Sequence, residues 1–204
     1  MKASLYIPAL LVWIFLIQPI AAQSGSEASR LLIQNFSPKD YGGAHAQNWA
    51  VLQDQRGIMY FGNGVGVLEY DGVAWRLIPV SNKTIVRSLG VDENNRIYVS
   101  AVGDFGYLAP DSADQLAFVS LLEKVPAENR DFSDVWQTLN TGEGIYFRTD
   151  KYLFRWEPED HGHRQPNADA AAPGTLRLWK AANSFHKSFL VGDTFYIRER
   201  GVGL

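Results

Sequence analysis

Four residues with binding chemistry recur at nearly fixed distances from four tyrosines. Trp49 and Arg87 stand 11 residues before Tyr60 and Tyr98, and Trp136 and His186 stand 10 before Tyr146 and Tyr196. An indole offers a flat apolar face and one N–H, which suits the hydrophobic face of a sugar ring; Arg and His add hydrogen bonds for hydroxyls or acidic groups. Equal offsets imply one equivalent structural position, so these four side chains are expected to converge on a mouth that takes a neutral or acidic saccharide. The competing reading is that they wedge between repeated elements as packing. His45, Asn48, Asp104, Arg130, Asp131 and Arg148 fall in turns expected at the same end. Arg130 and Asp131 read equally well as one exposed ion pair of little energetic worth.

Other residue patterns promise less. Gly62, Gly64 and Gly66 alternate in GNGVGVLEYD, but strand formers follow them where a phosphate cradle would open a helix, and no Lys-Ser/Thr pair is present. The Gly-Asn-Gly run therefore reads as a turn between two strands. His161 and His163 resemble a chelating pair, yet a metal site needs a third ligand, and their acidic loop is expected to be solvent-exposed; no metal and no cofactor is expected. No Ser-His-Asp set or carboxylate pair stands at catalytic spacing, so enzymatic activity is not expected of this stretch.

The elements that must position these residues repeat. Segments beginning at Trp49, Arg87, Trp136 and His186 each carry a tyrosine flanked by apolar residues, and successive tyrosines lie 38, 48 and 50 positions apart. Each unit reads as strand, polar turn, tyrosine strand, second turn and third strand. A fourth strand follows in AWRLIPV, LAFVSLL and TLRLWKA. Four short antiparallel strands at this period describe a β-propeller blade. The expected fold is all-β: a partial β-propeller of about four four-stranded antiparallel blades at residues 48–80, 85–122, 134–181 and 185–204, the last truncated, within a larger ring. LLIQNF, residues 31–36, reads as a strand that closes the ring, residues 157–174 as a mobile insertion, and Asp71, Asp92 and Asp111 as turn caps. The repeated tyrosines read as spacers between blades.

Composition bounds the function. The chain has 204 residues and a formal charge of −3, with no basic run, which argues against a nucleic-acid partner. The absence of cysteine removes disulfides, thiolate nucleophiles and Cys-ligated zinc. Residues 1–22 give a basic start at Lys2, an apolar stretch, Pro19 and the pair Ala21-Ala22, the pattern of a signal peptide cleaved after Ala22, with an uncleaved anchor as the alternative. A linker at residues 23–30 then leads to a propeller at residues 31–204, and the protein is expected to be periplasmic or otherwise extracytoplasmic.

SPKDYGG, QNWAVLQDQRGIMYFGNGVGVLEYDGVAWRLIP, VRSLGVDENNRIYVSAVGDFGYL and RDFSDVW together resemble the two-component regulator propeller repeats, over most of the chain from residue 31 onward. That resemblance implies the extracytoplasmic sensor of a hybrid histidine kinase or related membrane-bound regulator, with any membrane helix and output module lying downstream. The expected partners are a small-molecule ligand such as an oligosaccharide and, in a full-length protein, a second copy in a homodimer. A propeller enzyme of the lyase or dehydrogenase type and a protein-interaction scaffold are the alternative readings.

Overall fold

The structure, a computed structural model, describes residues 33–159 and 173–204. The leader and linker of residues 1–30, Leu31 and Leu32, and His161 and His163 with most of the expected insertion lie outside the described residues. Four antiparallel sheets follow one another along the chain. The first holds β1 (Asn48–Gln53), β2 (Met59–Asn63), β3 (Gly66–Tyr70) and β4 (Trp75–Ile78), and the second β5 (Val86–Val91), β6 (Ile97–Ala101), β7 (Phe105–Pro110) and β8 (Leu116–Ser120). The third holds β9 (Gln137–Thr141), β10 (Gly144–Arg148), β11 (Tyr152–Pro158) and β12 (Gly174–Lys180), and the fourth only β13 (Phe185–Val191) and β14 (Thr194–Glu199). Within each sheet the strands pair in sequence order. The first strands lie side by side, β1 against β5, β5 against β9 and β9 against β13. Sheets joined along their first strands are blades about a shared axis, and the chain is a partial β-propeller.

Sequence and packing meet at the tyrosines. Tyr60, Tyr98, Tyr146 and Tyr196 each sit in the second strand of a sheet. The first three are buried and face the next blade: Tyr60 packs with Val86 and Val99, Tyr98 with Phe147, and the ring of Tyr146 stacks on Phe195 at 4.3 Å. A buried phenol keeps a partner for its hydroxyl. Those partners are the acids of the turn preceding each second strand: Tyr98 donates to Asp92 (3.1 Å) and Tyr146 to Glu143 (3.1 Å), and Tyr60 lies 3.5 Å from Asp54. Burial, with the nearby charges of Glu69 and Asp54, pushes the Tyr60 hydroxyl up to about 12. Between blades two and three the core centres on Phe105, whose ring lies 4.7 Å from Phe147 and 4.8 Å from Phe154.

The turns are closed by aspartates, as the sequence implies. Asp92 accepts the backbone N–H groups of Asn94 and Arg96, Asp111 those of Ala113 and Gln115, and Asp71 those of Val73 and Ala74. Two end segments differ from the sequence reading. Residues 33–36 form no strand; Phe36 instead sets its ring edge-on against Tyr70 (5.2 Å) and Trp75 (5.1 Å). Residues 201–204 form a turn bridged at Glu199 and Gly203 where a third strand was expected, because the glycines at 201 and 203 adopt positive φ. No helix of the described residues is long and apolar enough to cross a membrane.

Candidate functional site

A bulge at the start of three of the four first strands aims one side chain. The β1–β2 register shifts between Asn48 and Ala50, that of β5–β6 between Val86 and Ser88, and that of β13–β14 between Phe185 and Lys187. Trp49, Arg87 and His186 are the extra residues. In the third blade Gln137 pairs with Arg148, and Trp136, one residue earlier, donates its N–H to the same Arg148 carbonyl at 2.8 Å. Ala50↔Gly62, Ser88↔Ser100, Gln137↔Arg148 and Lys187↔Arg198 are equivalent pairs, each two residues beyond the blade's tyrosine. The four residues singled out by spacing therefore occupy one equivalent position at the strand-entry end, where in three of the blades a bulge re-aims a side chain without its own rung in the ladder.

Three of the four touch. The Arg87 guanidinium carbon lies 4.0 Å from the Trp49 ring centroid and 4.9 Å from that of Trp136, so the cation is layered between two indoles. Its Nε donates to Asp134 Oδ1 at 2.6 Å, and its Nη1 is buried without a partner among the described residues. Asp134 is positioned by the loop entering β9: Gly103 N–H donates to the Ser133 carbonyl and Val135 N–H to the Ala101 carbonyl. Both indoles remain partly exposed, Trp49 at 44% and Trp136 at 39%.

Opposite Gln137, Arg148 ends β10 at the same strand-entry end. It is 6% exposed, its Nε reaches Gln137 Oε1 only at 3.4 Å, and its Nη1 is buried without a partner among the described residues. Burial lowers its pKa, with the charge of Asp150 acting in the opposite sense. Gln137 is already engaged, accepting from Ser188 Oγ (2.8 Å) and donating to the Ser188 carbonyl (3.1 Å). That exchange ties β9 to β13, as Thr138 ties β9 to β5 through Ser88 (3.0 Å) and to β6 through Ser100 (2.7 Å). His186 Nδ1 is also enclosed without a partner among the described residues, and the His186 pKa is lowered, first by burial and then by Arg200, Arg198, Lys187 and Arg148. Arg87, Arg148 and His186 thus place basic side chains at the strand-entry end of three successive blades.

The remaining sequence candidates hold loops. Asn63 is fully buried and gathers the entry of β1, donating to the His45 carbonyl (2.6 Å) and Asn48 Oδ1 (2.7 Å) and accepting from His45 N–H (3.2 Å). This answers the Gly-Asn-Gly pattern: a Cβ on Gly64 would stand 2.7 Å from the His45 ring, and Gly66 sits at φ 147° against the Ile78 carbonyl. Asp104 is buried and accepts from Phe105 N–H (2.7 Å) and Ser120 Oγ (2.6 Å), so its carboxylate serves its own blade. Arg130 and Asp131 do not pair with each other. Arg130 donates to the Val125 and Glu123 carbonyls, and Asp131 meets Lys151 Nζ (2.7 Å) and the Tyr152 hydroxyl (2.7 Å). Asp134, Gln137 and Ser188 escaped the sequence reading, because their partners lie on other blades.

At the opposite end, a cavity of about 290 Å³ opens between the turns of blades two and three, lined by Asp92, Glu93, Asn140, Glu143 and Glu157 among others. Arg155 pairs with both Glu143 and Glu157, which neutralises much of that acidity. No group of three or more His, Asp or Glu among the described residues is placed to hold a metal ion. No protein-family model matches the chain, and no curated protein matches it.

Proposed function

We propose that the chain is the ligand-sensing β-propeller of an extracytoplasmic signal-transduction regulator, and that it takes a small ligand such as an oligosaccharide at the strand-entry end. The layered Trp49–Arg87–Trp136 arrangement carries this reading. Two indoles held in place by one guanidinium, each partly exposed, form a preorganised stacking platform for the apolar face of a sugar. Asp134 fixes the guanidinium from the side, accepting from its Nε at 2.6 Å. The resemblance of residues 37–43, 47–79, 86–108 and 130–136 to two-component regulator propeller repeats supports a sensing role, and the leader pattern of residues 1–22 supports export.

Calorimetric titration of the protein with neutral and uronate oligosaccharides tests the reading. Trp49→Ala and Trp136→Ala are each expected to weaken binding by about 1–3 kcal/mol, the loss typical of an aromatic anchor, with a smaller effect on folding. Unchanged affinity with a large fall in melting temperature would show that the indoles are inter-blade packing. Turnover of the oligosaccharides would favour an enzyme over a sensor.

A further inference from the structure

We propose that the ligand carries an oxyanion, a carboxylate or sulfate on a sugar ring, received at the base of the mouth by Arg148 with His186 beside it. This rests on the placement of the ligand at the strand-entry end argued above. The carrying observation is a buried cation with too little to hold it. Arg148 is 6% exposed, Nη1 has no partner among the described residues, and the one side-chain hydrogen bond to a described residue is a 3.4 Å contact to an oxygen that Ser188 already occupies. A charge taken out of water without an ion pair or good hydrogen bonds destabilises a fold strongly, so such an arrangement persists where a ligand supplies the missing partner.

The neighbours point the same way. Orphaned buried nitrogens occur on three successive blades at this end: Arg87 Nη1, Arg148 Nη1 and His186 Nδ1. Arg87 has its counter-ion in Asp134, whereas the carboxylate acting on Arg148, that of Asp150, acts only through space. Arg198, Arg200 and Lys187 add positive potential around His186. A guanidinium recognises carboxylate and sulfate oxygens through paired N–H groups, and the partly exposed indoles of Trp49 and Trp136 offer stacking surface to the ring that bears the anion.

Arg148→Met separates this role from a structural one, since it keeps the alkyl stem and removes the charge. The protein would be titrated at fixed ionic strength with trigalacturonate, a monosulfated galactobiose, neutral galactotriose and inorganic sulfate, with Arg148→Lys as the charge-retaining variant. In sulfate-free buffer Arg148→Met is expected to melt at or above the wild-type temperature, because an unpaired buried charge has been removed. The anionic sugar is expected to bind at least about tenfold more tightly than galactotriose, and Arg148→Met to abolish that preference while leaving galactotriose within about twofold. Arg148→Lys is expected to keep most of it. Whether trigalacturonate or the sulfated sugar binds assigns the source of the anion. A lower melting temperature for Arg148→Met with an unchanged preference would overturn the proposal and make Arg148 structural. Equal binding of neutral and anionic sugars would overturn the anion while leaving the oligosaccharide reading intact. Sulfate that stabilises the wild type but not Arg148→Met, without binding of any sugar, would support the anion site and count against the oligosaccharide.

Discussion

Removing the cation from between Trp49 and Trp136 tests whether the mouth is built as a unit. Arg87→Met keeps the aliphatic packing and deletes the guanidinium. At 4.0 and 4.9 Å from the two ring centroids, and with its side chain 13% exposed, Arg87 should gain about 1 kcal/mol from each indole, between the exposed and desolvated values for such contacts. The 2.6 Å bond to Asp134 adds about 1.5 kcal/mol, the lower range for a hydrogen bond between charged groups, because Asp134 at 20% exposure regains some water when released. The expected loss is therefore about 3–4 kcal/mol in urea unfolding followed by far-UV circular dichroism, with an unchanged dependence on denaturant. Double-mutant cycles isolate the stacking. Arg87→Met with Trp49→Leu should give a coupling of about 1 kcal/mol, and with Trp136→Leu a smaller one, following the two distances. Coupling below about 0.3 kcal/mol for both pairs, or a larger value for Trp136, would refute the layered arrangement as an energetic unit.

Phe105→Ala should cost about 3–5 kcal/mol in the same assay, since the ring is fully buried between Phe147 and Phe154; a loss below about 1 kcal/mol would mean that blades two and three share no common core. Gly64→Ala should cost about 1–2 kcal/mol by pushing a methyl to 2.7 Å from the His45 ring, and adding His45→Ala should recover only part of the loss, because the His45 Cβ also stands 2.8 Å from that methyl. Burial holds the Asp104 carboxyl above the ordinary carboxylate range, against the hydrogen bonds of Ser120, Phe105 and Ser81. The folded state then binds this proton more tightly than the unfolded chain, so stability is greatest below the ordinary carboxylate value and falls as pH rises through the raised one. Asp104→Asn, which retains the Oδ1 acceptor, should flatten that part of the melting-temperature profile; an unchanged slope would place the titration elsewhere.

The repeat architecture was legible because it rests on local signals. A tyrosine between apolar neighbours marks the second strand in all four blades, and counting back from it located Trp49, Arg87, Trp136 and His186 despite a turn one residue shorter in the later units. The bulge itself was hidden, because an extra residue in a strand leaves no mark in a period-two pattern this short. Cross-blade chemistry was hidden for a different reason. Arg87 finds Asp134 at a separation of 47 residues and Gln137 finds Ser188 at 51, so neither pair is a motif. Asp104 and Asp131 show the limit of reading charge as function: one is capped by Ser120 and Phe105, the other by Lys151 and Tyr152, and nothing in their local sequence distinguishes them from ligand-facing acids.

The bulge has an evolutionary consequence. A residue without a rung of its own can be exchanged with little effect on strand pairing, so in the proposed ligand mouth the strand ladder and the recognition side chains are written at separate positions of the same strand. Trp49, Arg87 and His186 stand at such vacant rungs, and Trp136 at the equivalent place, while Ala50, Ser88, Gln137 and Lys187 next to them carry the pairing. A propeller of this construction holds a four-letter register that mutation can rewrite one letter at a time. New preferences can arise in it by drift at the entry positions, without rebuilding the blades that display them.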